Sequence, residues 1–202
     1  MSSVRTLTLA DAALPRAGVL RDVALIVAAS LVTAAAARIA VPLPWSPVPL
    51  TGQTFAVLLT GAALGARRAV LAQALYLVEG AMGLPFFAGG LGGPLVLAGP
   101  TGGFLLAFPL AAAVTGVCAE HGWDRRFGTM LAAMLLGSAV FYISGLAVLS
   151  RFVPADRLLA AGLLPFLPGD VIKAVAAALV LPAAWRFANG SPSQAGRGRS
   201  GG

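Results

Sequence analysis

Apolar residues follow one another in six long runs along this chain, and short polar or proline-rich segments separate the runs. Runs of about 20 apolar residues are typical of helices that cross a bilayer, and helices shielded by protein can be somewhat shorter. The runs lack the period-two alternation of membrane barrel strands. They predict an all-α membrane protein with six transmembrane helices, at residues 21–40, 51–64, 69–84, 101–118, 127–149 and 170–186.

The composition excludes several other classes of protein. Hydrophobic residues make up 58% of the 202 residues and charged residues only 10%, whereas a soluble domain carries about 25% charged residues. The mean hydropathy is +0.90. A disordered chain, a coiled coil and an ordinary soluble enzyme are therefore excluded.

The positive charges indicate the orientation in the membrane. A net charge of +7 would suggest nucleic acid in a soluble protein, but here the arginines fall between the apolar runs, so we expect no nucleic-acid partner. Ten arginines fall on the side of the termini and three on the other, and cytoplasmic loops carry the excess of Lys and Arg. We therefore expect a multi-pass protein of the cytoplasmic (inner) membrane with both termini in the cytoplasm. The predicted organisation is a cytoplasmic tail at 1–19, a six-helix transmembrane domain at 20–187 and a disordered cytoplasmic tail at 188–202.

Lys173, the only lysine of the chain, lies in the sixth run, three residues after Asp170. Residues at this spacing share one side of a helix. A charge near the bilayer centre costs roughly 2.5–3.5 kcal/mol on insertion scales, so an intramembrane ionisable residue is a candidate for function. We favour a site for a polar ligand at this pair. In the alternative, Asp170 begins the helix and Lys173 extends its ammonium to the membrane surface.

Two further polar residues lie near the predicted outer face. Glu79 could face a cavity or lie at the membrane interface, and Gln53 could bind a ligand or join two helices. The loops at 41–49 and 83–94 are rich in proline and glycine and carry no charge. Irregular backbone at membrane depth is tolerated where it lines a cavity or is buried by protein. The alternative is that both loops only connect helices.

Small residues recur at a spacing of four in the first run, which permits close helix packing. The residues concerned are Ala24, Ala28, Ala36 and Ala40. Their surface could bind a second membrane protein, or it could pack inside the bundle.

The sequence offers no usable motif for catalysis or for a cofactor. Residues 196–201 match the dinucleotide pattern Gly-x-Gly-x-x-Gly only formally, because they lie in the predicted disordered tail with no strand before them and no helix after them. The only lysine is followed by Ala174, so there is no phosphate-binding loop of the Gly-x-x-x-x-Gly-Lys-[Ser/Thr] type for ATP. The single histidine, His121, and the single cysteine, Cys118, have no clustered partners, which argues against a metal site. We therefore predict no enzyme activity, no catalytic residues, no cofactor and no metal. An intramembrane enzyme would need clustered catalytic groups, and a membrane scaffold would leave the Asp170–Lys173 pair unused.

Four motifs in order resemble the BioY family of biotin transporters, the substrate-binding (S) components of energy-coupling factor (ECF) transporters. The motifs lie at 48–55, at 76–77 with 80–87, at 99–104 and at 164–173. The resemblance implies a six-helix S-component fold that binds biotin near its outer face. It also implies a membrane coupling subunit and ATP-binding subunits as partners.

The resemblance assigns roles to single residues. Asp170 is expected on the ureido ring of biotin and Lys173 on the polar end groups of the ligand. This division agrees with the need of ureido N–H groups for an acceptor and of the valerate carboxylate for a cation. Two positions depart from the family pattern: Glu79, where a neutral residue is expected, and Phe104, where a tyrosine is frequent. The full set of expected binding residues is Asp170, Lys173, Gln53, Thr101, Gly102, Gly103, Phe104, Phe87 and Glu79. Uptake of another small vitamin, or biotin uptake without ATPase partners, remains the alternative.

Overall fold

Helices dominate the structure, a computed structural model that describes residues 7–14 and 18–190. In chain order the described elements are α1 (Leu9–Ala13), α2 (Val19–Ala36), β1 (Ala40–Leu43), β2 (Ser46–Thr51), α3 (Gln53–Leu64), α4 (Ala66–Ala81), α5 (Pro94–Ala98), α6 (Gly102–Leu106), α7 (Phe108–Glu120), α8 (Phe127–Leu149), α9 (Leu158–Gly162) and α10 (Leu167–Gly190). Short 3-10 turns lie at Ala88–Gly90 and Trp123–Arg125.

Four helical segments of the described chain are long and apolar enough to cross a membrane. They are Val19–Ala36, Gly102–Glu120, Phe127–Leu149 and Leu158–Phe187, and they correspond to the first, fourth, fifth and sixth predicted runs. The second and third runs are occupied by α3 and α4, which have 12 and 16 residues. The mostly helical fold is confirmed, whereas the number of membrane crossings stays a prediction.

The expectation of an entirely helical chain needs one correction, because residues 40–51 form an antiparallel hairpin. Ala40 pairs with Thr51, Val41 with Leu50 and Leu43 with Ser46. Prolines at 42, 44, 47 and 49 remove backbone donors and exclude a helix here, but they permit a short two-stranded ribbon with exposed edges. The hairpin brings the start of α3 back toward the end of α2.

Two predicted helix boundaries are also corrected. The first helix ends at Ala36 rather than at residue 40, and α10 continues through Gly190, past the predicted start of a disordered tail at 188. The remainder of that tail, with Arg197 and Arg199, lies outside the described residues, as do Arg5 and Arg16.

Glycines let the central helices approach closely. A Cβ atom on Gly61 of α3 would lie 2.6 Å from the carbonyl oxygen of Ala112 in α7, and one on Gly116 would lie 2.4 Å from the backbone nitrogen of Ala66. Any side chain at these positions would push the helices apart. Small residues of this kind are typical of packing between membrane helices.

Buried hydrogen bonds add to this packing. The Gln73 Nε2 of α4 donates to Thr33 Oγ1 of α2 and to Thr60 Oγ1 of α3, each at 3.1 Å. All three side chains are buried. One amide therefore joins three helices without leaving its own polar group unpaired.

An ion-pair network joins α1, α2 and α4 at the end predicted to be cytoplasmic. Asp11 Oδ1 accepts from Arg21 at 2.6 Å and from Arg68 at 2.9 Å, and Arg68 Nε lies 3.0 Å from Asp22 Oδ1. Burial by itself would raise the pKa of Asp11, but hydrogen bonds from Thr8, Arg21 and Arg68 outweigh it and lower the pKa to about 2. Asp11 is therefore ionised at neutral pH.

A second contact ties the end of α10 to the turn between α7 and α8. Asp124 in that turn is buried and accepts a hydrogen bond from Trp185 Nε1. The Arg125 guanidinium lies 4.5 Å from the centroid of the Trp185 ring, within the range of a cation–π interaction. Burial raises the pKa of Asp124, and the Trp185 hydrogen bond opposes this only in part.

Candidate functional site

A cavity of about 400 Å³ opens at the end of the bundle where α10 begins. Its walls come from β2, the start of α3, the segment that runs from the loop after α4 through α6 to the start of α7, and from α8 and α10. Most of the wall is apolar and includes Phe87, Phe104, Phe108, Phe141 and Phe166. The polar lining residues are Thr51, Gln53, Thr54, Thr101, Tyr142, Asp170 and Lys173. An apolar cavity of this size with a few convergent polar groups is typical of a small-molecule site.

Lys173 joins α10 to the junction between β2 and α3. Its Nζ donates to the Thr51 carbonyl oxygen at 3.0 Å, to Thr54 Oγ1 at 2.9 Å and to Asp170 Oδ1 at 3.2 Å. An ammonium group has three N–H donors, so the protein itself uses all three. A ligand anion must therefore replace one of these acceptors or share a donor with it.

Asp170 is held between two side chains. Its Oδ1 accepts from Lys173, and its Oδ2 accepts from the hydroxyl of Tyr142 in α8. The side chain of Asp170 is 12% exposed and that of Lys173 is 25% exposed. Both side chains are therefore largely shielded, and both line the cavity. Each carboxylate oxygen has more than one lone pair, so Asp170 retains the capacity to accept from a ligand.

Gln53 is the first residue of α3 and is 3% exposed. Its Nε2 donates to the hydroxyl of Tyr76 in α4, and this hydroxyl donates to the Phe86 carbonyl oxygen at 3.0 Å. The first turn of a helix has N–H groups without intrahelical partners and a partial positive charge. The start of α3 therefore adds to the positive potential of Lys173 on this side of the cavity.

A glycine-rich segment, residues 82–93, covers the cavity and is called the cap loop below. Gly83, Gly89, Gly90 and Gly93 have φ angles between 70° and 101°, a region that favours glycine. These angles fold the segment back over the bundle. The loop is fixed on its outer side by Arg38, whose Nη2 donates to the Pro85 carbonyl oxygen at 2.7 Å.

The inner side of the cap loop is fixed by Phe87, which is 1% exposed. Its ring meets the ring of Tyr76 edge-on, with 5.7 Å between centroids. Gly80 provides the space, because a Cβ there would lie 2.3 Å from the Phe87 ring. Backbone hydrogen bonds hold both ends of the cap loop to α4, since the Leu84 N–H donates to the Glu79 carbonyl oxygen at 3.2 Å and the Gly93 N–H to the Gly80 carbonyl oxygen at 2.8 Å. Between these ends, the loop rests on α4 through the Phe87 ring and the Phe86 carbonyl oxygen.

The structure brings six of the nine predicted binding residues to the cavity wall: Asp170, Lys173, Gln53, Thr101, Phe104 and Phe87. Gly102 and Gly103 are buried in α6 and do not line the cavity. A Cβ on Gly102 would lie 1.9 Å from the Leu97 carbonyl oxygen, and one on Gly103 would lie 2.5 Å from the Ser144 carbonyl oxygen. These two glycines permit α6 to pack against α5 and α8.

Glu79 lies outside the cavity and accepts a hydrogen bond from Ser30 of α2. Tyr76 and Gly80 share one face of α4 and meet the cap loop. Glu79 is on the neighbouring face, which packs against α2. Glu79 lies near the end of α4, but the sequence did not show which face of the helix it occupies.

The four alanines predicted to bind a partner do not share one surface. Ala24 and Ala28 are exposed on α2, whereas Ala36 is half-buried. A Cβ on Gly52 would lie 2.9 Å from the Ala36 carbonyl oxygen. Ala40 lies in β1. At 100° per residue, exposed Ala35 rather than Ala36 continues the line of Ala24 and Ala28.

Sequence reasoning missed three polar residues of the site: Thr51, Thr54 and Tyr142. A signal was available for Tyr142, because the chain has only two tyrosines and Tyr142 falls inside the most apolar run. Tyr76, the other tyrosine, also contributes its hydroxyl next to the cavity. The two threonines gave no such signal, because their contacts depend on the hairpin.

Taken together, the apolar helices and the cavity define a multi-pass membrane protein with a site of small-molecule size. The profile of the BioY family matches residues 5–190. The chain therefore belongs to the BioY family.

Individual relatives and a solved structure agree with this assignment. The chain is 43% identical over 141 residues to "Biotin transporter BioY" of Thermotoga maritima, an alignment that covers 69% of this chain and 82% of the relative. It is 40% identical over 148 residues to "Biotin transporter BioY" of Rhizobium etli, covering 69% and 79%. A crystal structure described as the S-component for biotin from an ECF-type ABC transporter superposes with a TM-score of 0.72 at 22% identity, covering 83% of this chain and 92% of that one. The S-component fold is thereby confirmed.

Proposed function

We propose that this chain binds biotin in the cavity and serves as the substrate-binding subunit of an ECF-type transporter for biotin uptake. The observation that carries the proposal is the Asp170–Lys173 pair in the wall of an otherwise apolar cavity of about 400 Å³. Biotin has ureido N–H groups, an apolar bicyclic body and chain, and a carboxylate. Asp170 can accept from the N–H groups, the aromatic wall can cover the apolar part, and Lys173 can pair with the carboxylate. The names of the relatives support the same ligand.

Equilibrium binding of labelled biotin to the purified chain tests this function. We expect saturable binding of one biotin per chain, displaced by unlabelled biotin but not by thiamine, an unrelated small vitamin. Thermal unfolding of the same sample verifies that the protein is folded. A folded protein that does not bind biotin would contradict the proposal.

Transport requires energy that this chain does not provide by a phosphate-binding loop of the usual type. We propose a membrane coupling subunit and ATP-binding subunits as partners, with the exposed side of α2 around Ala24 and Ala28 as the surface that meets the coupling subunit. Small exposed residues on a membrane helix permit the backbone of another helix to approach closely.

The proposed location is the cytoplasmic membrane, with six helices across it and both termini in the cytoplasm. In support, the start of α4 carries Arg67 and Arg68 and the turn after α7 carries Arg125 and Arg126, and both regions lie at the end of the bundle away from the cavity. A cysteine at position 45, in the hairpin turn, should react with a membrane-impermeant maleimide on intact cells. A cysteine at position 121, after α7, should react only after permeabilisation. Both wild-type residues are exposed.

The two labelling variants are Trp45→Cys and His121→Cys, each in a Cys118→Ala background that removes the native thiol. Uptake of biotin by each variant verifies that it inserts correctly. Reaction of both cysteines from the same side of the membrane would overturn the proposed orientation.

A further inference from the structure

We propose that Tyr76 is a positioning residue that turns the acceptor end of the Gln53 side chain toward the cavity, and that it does so only while the cap loop is closed. The proposal rests on the proposed function in one respect, because biotin is the ligand whose N–H groups would use that acceptor. Tyr76 is fully buried and lies between the cavity wall and the loop.

The direction of the hydrogen bonds follows from the number of hydrogens. A tyrosine hydroxyl has one hydrogen, and a backbone carbonyl can only accept. Because Tyr76 donates its hydrogen to the Phe86 carbonyl oxygen, its own oxygen must accept from Gln53. The end of the Gln53 carboxamide that meets Tyr76 is therefore the NH2 group.

The other end of this carboxamide, Oε1, accepts no hydrogen bond from the part of the chain that the structure describes. Gln53 itself lines the cavity. The cavity therefore presents an acceptor at Gln53, which suits an N–H or O–H donor of a ligand and disfavours a carboxylate. Gln53 and Asp170 are both acceptors, so a donor-rich group such as a ureido ring fits between them.

The orientation of Gln53 depends on the cap loop, because the Phe86 carbonyl belongs to that loop. The adjacent Phe87 ring packs on Tyr76 and over Gly80, so Phe86 and Phe87 leave α4 together when the loop lifts. Tyr76 then loses its acceptor and can donate to Gln53 Oε1 instead. The carboxamide can turn over and present NH2 to the cavity.

Loop closure and ligand binding therefore favour each other. A ligand with N–H donors binds better to the closed state, in which Gln53 presents Oε1. By thermodynamic linkage, the same ligand shifts the loop toward closure by the same factor. An open cavity would thus lack part of the acceptor set that recognises the ligand.

The variant Tyr76→Phe tests the proposal because it removes the hydroxyl and keeps the ring that packs on Phe87 and Phe108. We expect the dissociation constant for biotin to rise about 3- to 10-fold, the effect of one ordinary hydrogen bond, mainly through faster dissociation.

In ligand-free protein, a cysteine introduced by Ala88→Cys in the Cys118→Ala background should react several-fold faster with maleimide when Tyr76→Phe is present. Tyr142→Phe is the matched control, since it should weaken biotin binding without changing the labelling of the loop.

A double-mutant cycle separates a positioning role from a structural one. If Tyr76 acts through Gln53, Tyr76→Phe should cost affinity in the native background but almost none in a Gln53→Leu background. Equal losses in both backgrounds would overturn the proposal, as would unchanged labelling of the loop in Tyr76→Phe. Should Tyr76→Phe fail to fold, Gly80→Ala displaces Phe87 without touching the hydroxyl, and the same loop labelling and the same dependence on Gln53 are expected.

Failure of the proposed function gives a different result. Folded wild-type protein would then not bind biotin at all, whereas loop labelling of the ligand-free protein would still report on Tyr76. Normal biotin binding by the wild type together with no effect of Tyr76→Phe on labelling or affinity would overturn only the inference about Tyr76.

Discussion

Replacing Lys173 by alanine should weaken biotin binding by roughly ten- to a hundredfold, the equivalent of losing one charge-assisted hydrogen bond of about 1.5–3 kcal/mol in a shielded cavity. The loss should be smaller for biotin methyl ester, because the ester offers no carboxylate to the ammonium. It should not vanish for the ester, since Lys173 also pairs with Asp170 Oδ1. Dissociation constants of both ligands for wild type and variant provide the measurement.

Two companion variants refine this result. Asp170→Asn should weaken binding of the acid and of the ester alike, because it acts at the ureido group that both ligands share. Lys173→Arg should restore binding only in part, since a planar guanidinium does not fit the three acceptors of a compact ammonium. Those acceptors are the Thr51 carbonyl, Thr54 Oγ1 and Asp170 Oδ1.

The control for Lys173→Ala is Thr54→Val, which removes one of the three acceptors and keeps the charge. We expect a smaller loss of affinity from this control than from Lys173→Ala. Wild-type affinity in folded Lys173→Ala would remove the lysine from the site. Equal losses for acid and ester would keep Lys173 in the site but place its contact away from the carboxylate.

The sequence indicated the acid–base pair because ionisable residues in apolar runs are rare and costly. The spacing of Asp170 and Lys173 on one helix is a local property, so it could be predicted. The partners of the lysine could not, since Thr51 and Thr54 lie more than 100 residues away. The positions of these threonines depend on the hairpin at residues 40–51. The prolines of this segment indicated that it is not helical, but they did not predict a hairpin.

The sequence also did not predict which face of each helix is buried. In a bundle that is apolar throughout, no polar side marks the surface, so the pattern does not show which side of a helix is buried. Glu79 and Ala36 illustrate this. Both lie on the helices on which they were expected, but the first faces Ser30 of α2 and the second lies against Gly52.

The contrast between exposed Ala28 and half-buried Ala36 leads to a prediction about the side of α2 that we propose meets the coupling subunit. Ala28→Leu should reduce biotin uptake by about tenfold or more while leaving biotin binding to the purified chain unchanged. Ala28 is exposed on α2, so a leucine there costs little inside this protein, whereas in a close helix–helix contact added carbon atoms cost about 1–3 kcal/mol. Uptake by cells that express the proposed partners is compared with equilibrium binding for each variant.

Two further substitutions make this comparison specific to one surface. Ala139→Leu is the matched control, because Ala139 is exposed on α8 and the same change there should affect neither uptake nor binding. Ala36→Leu should behave differently from Ala28→Leu, since Ala36 is half-buried beside Gly52, and a larger side chain there should lower the thermal stability of the isolated chain. If Ala28→Leu lowers binding and uptake equally, Ala28 packs within the fold, and the coupling subunit must meet another face of the protein.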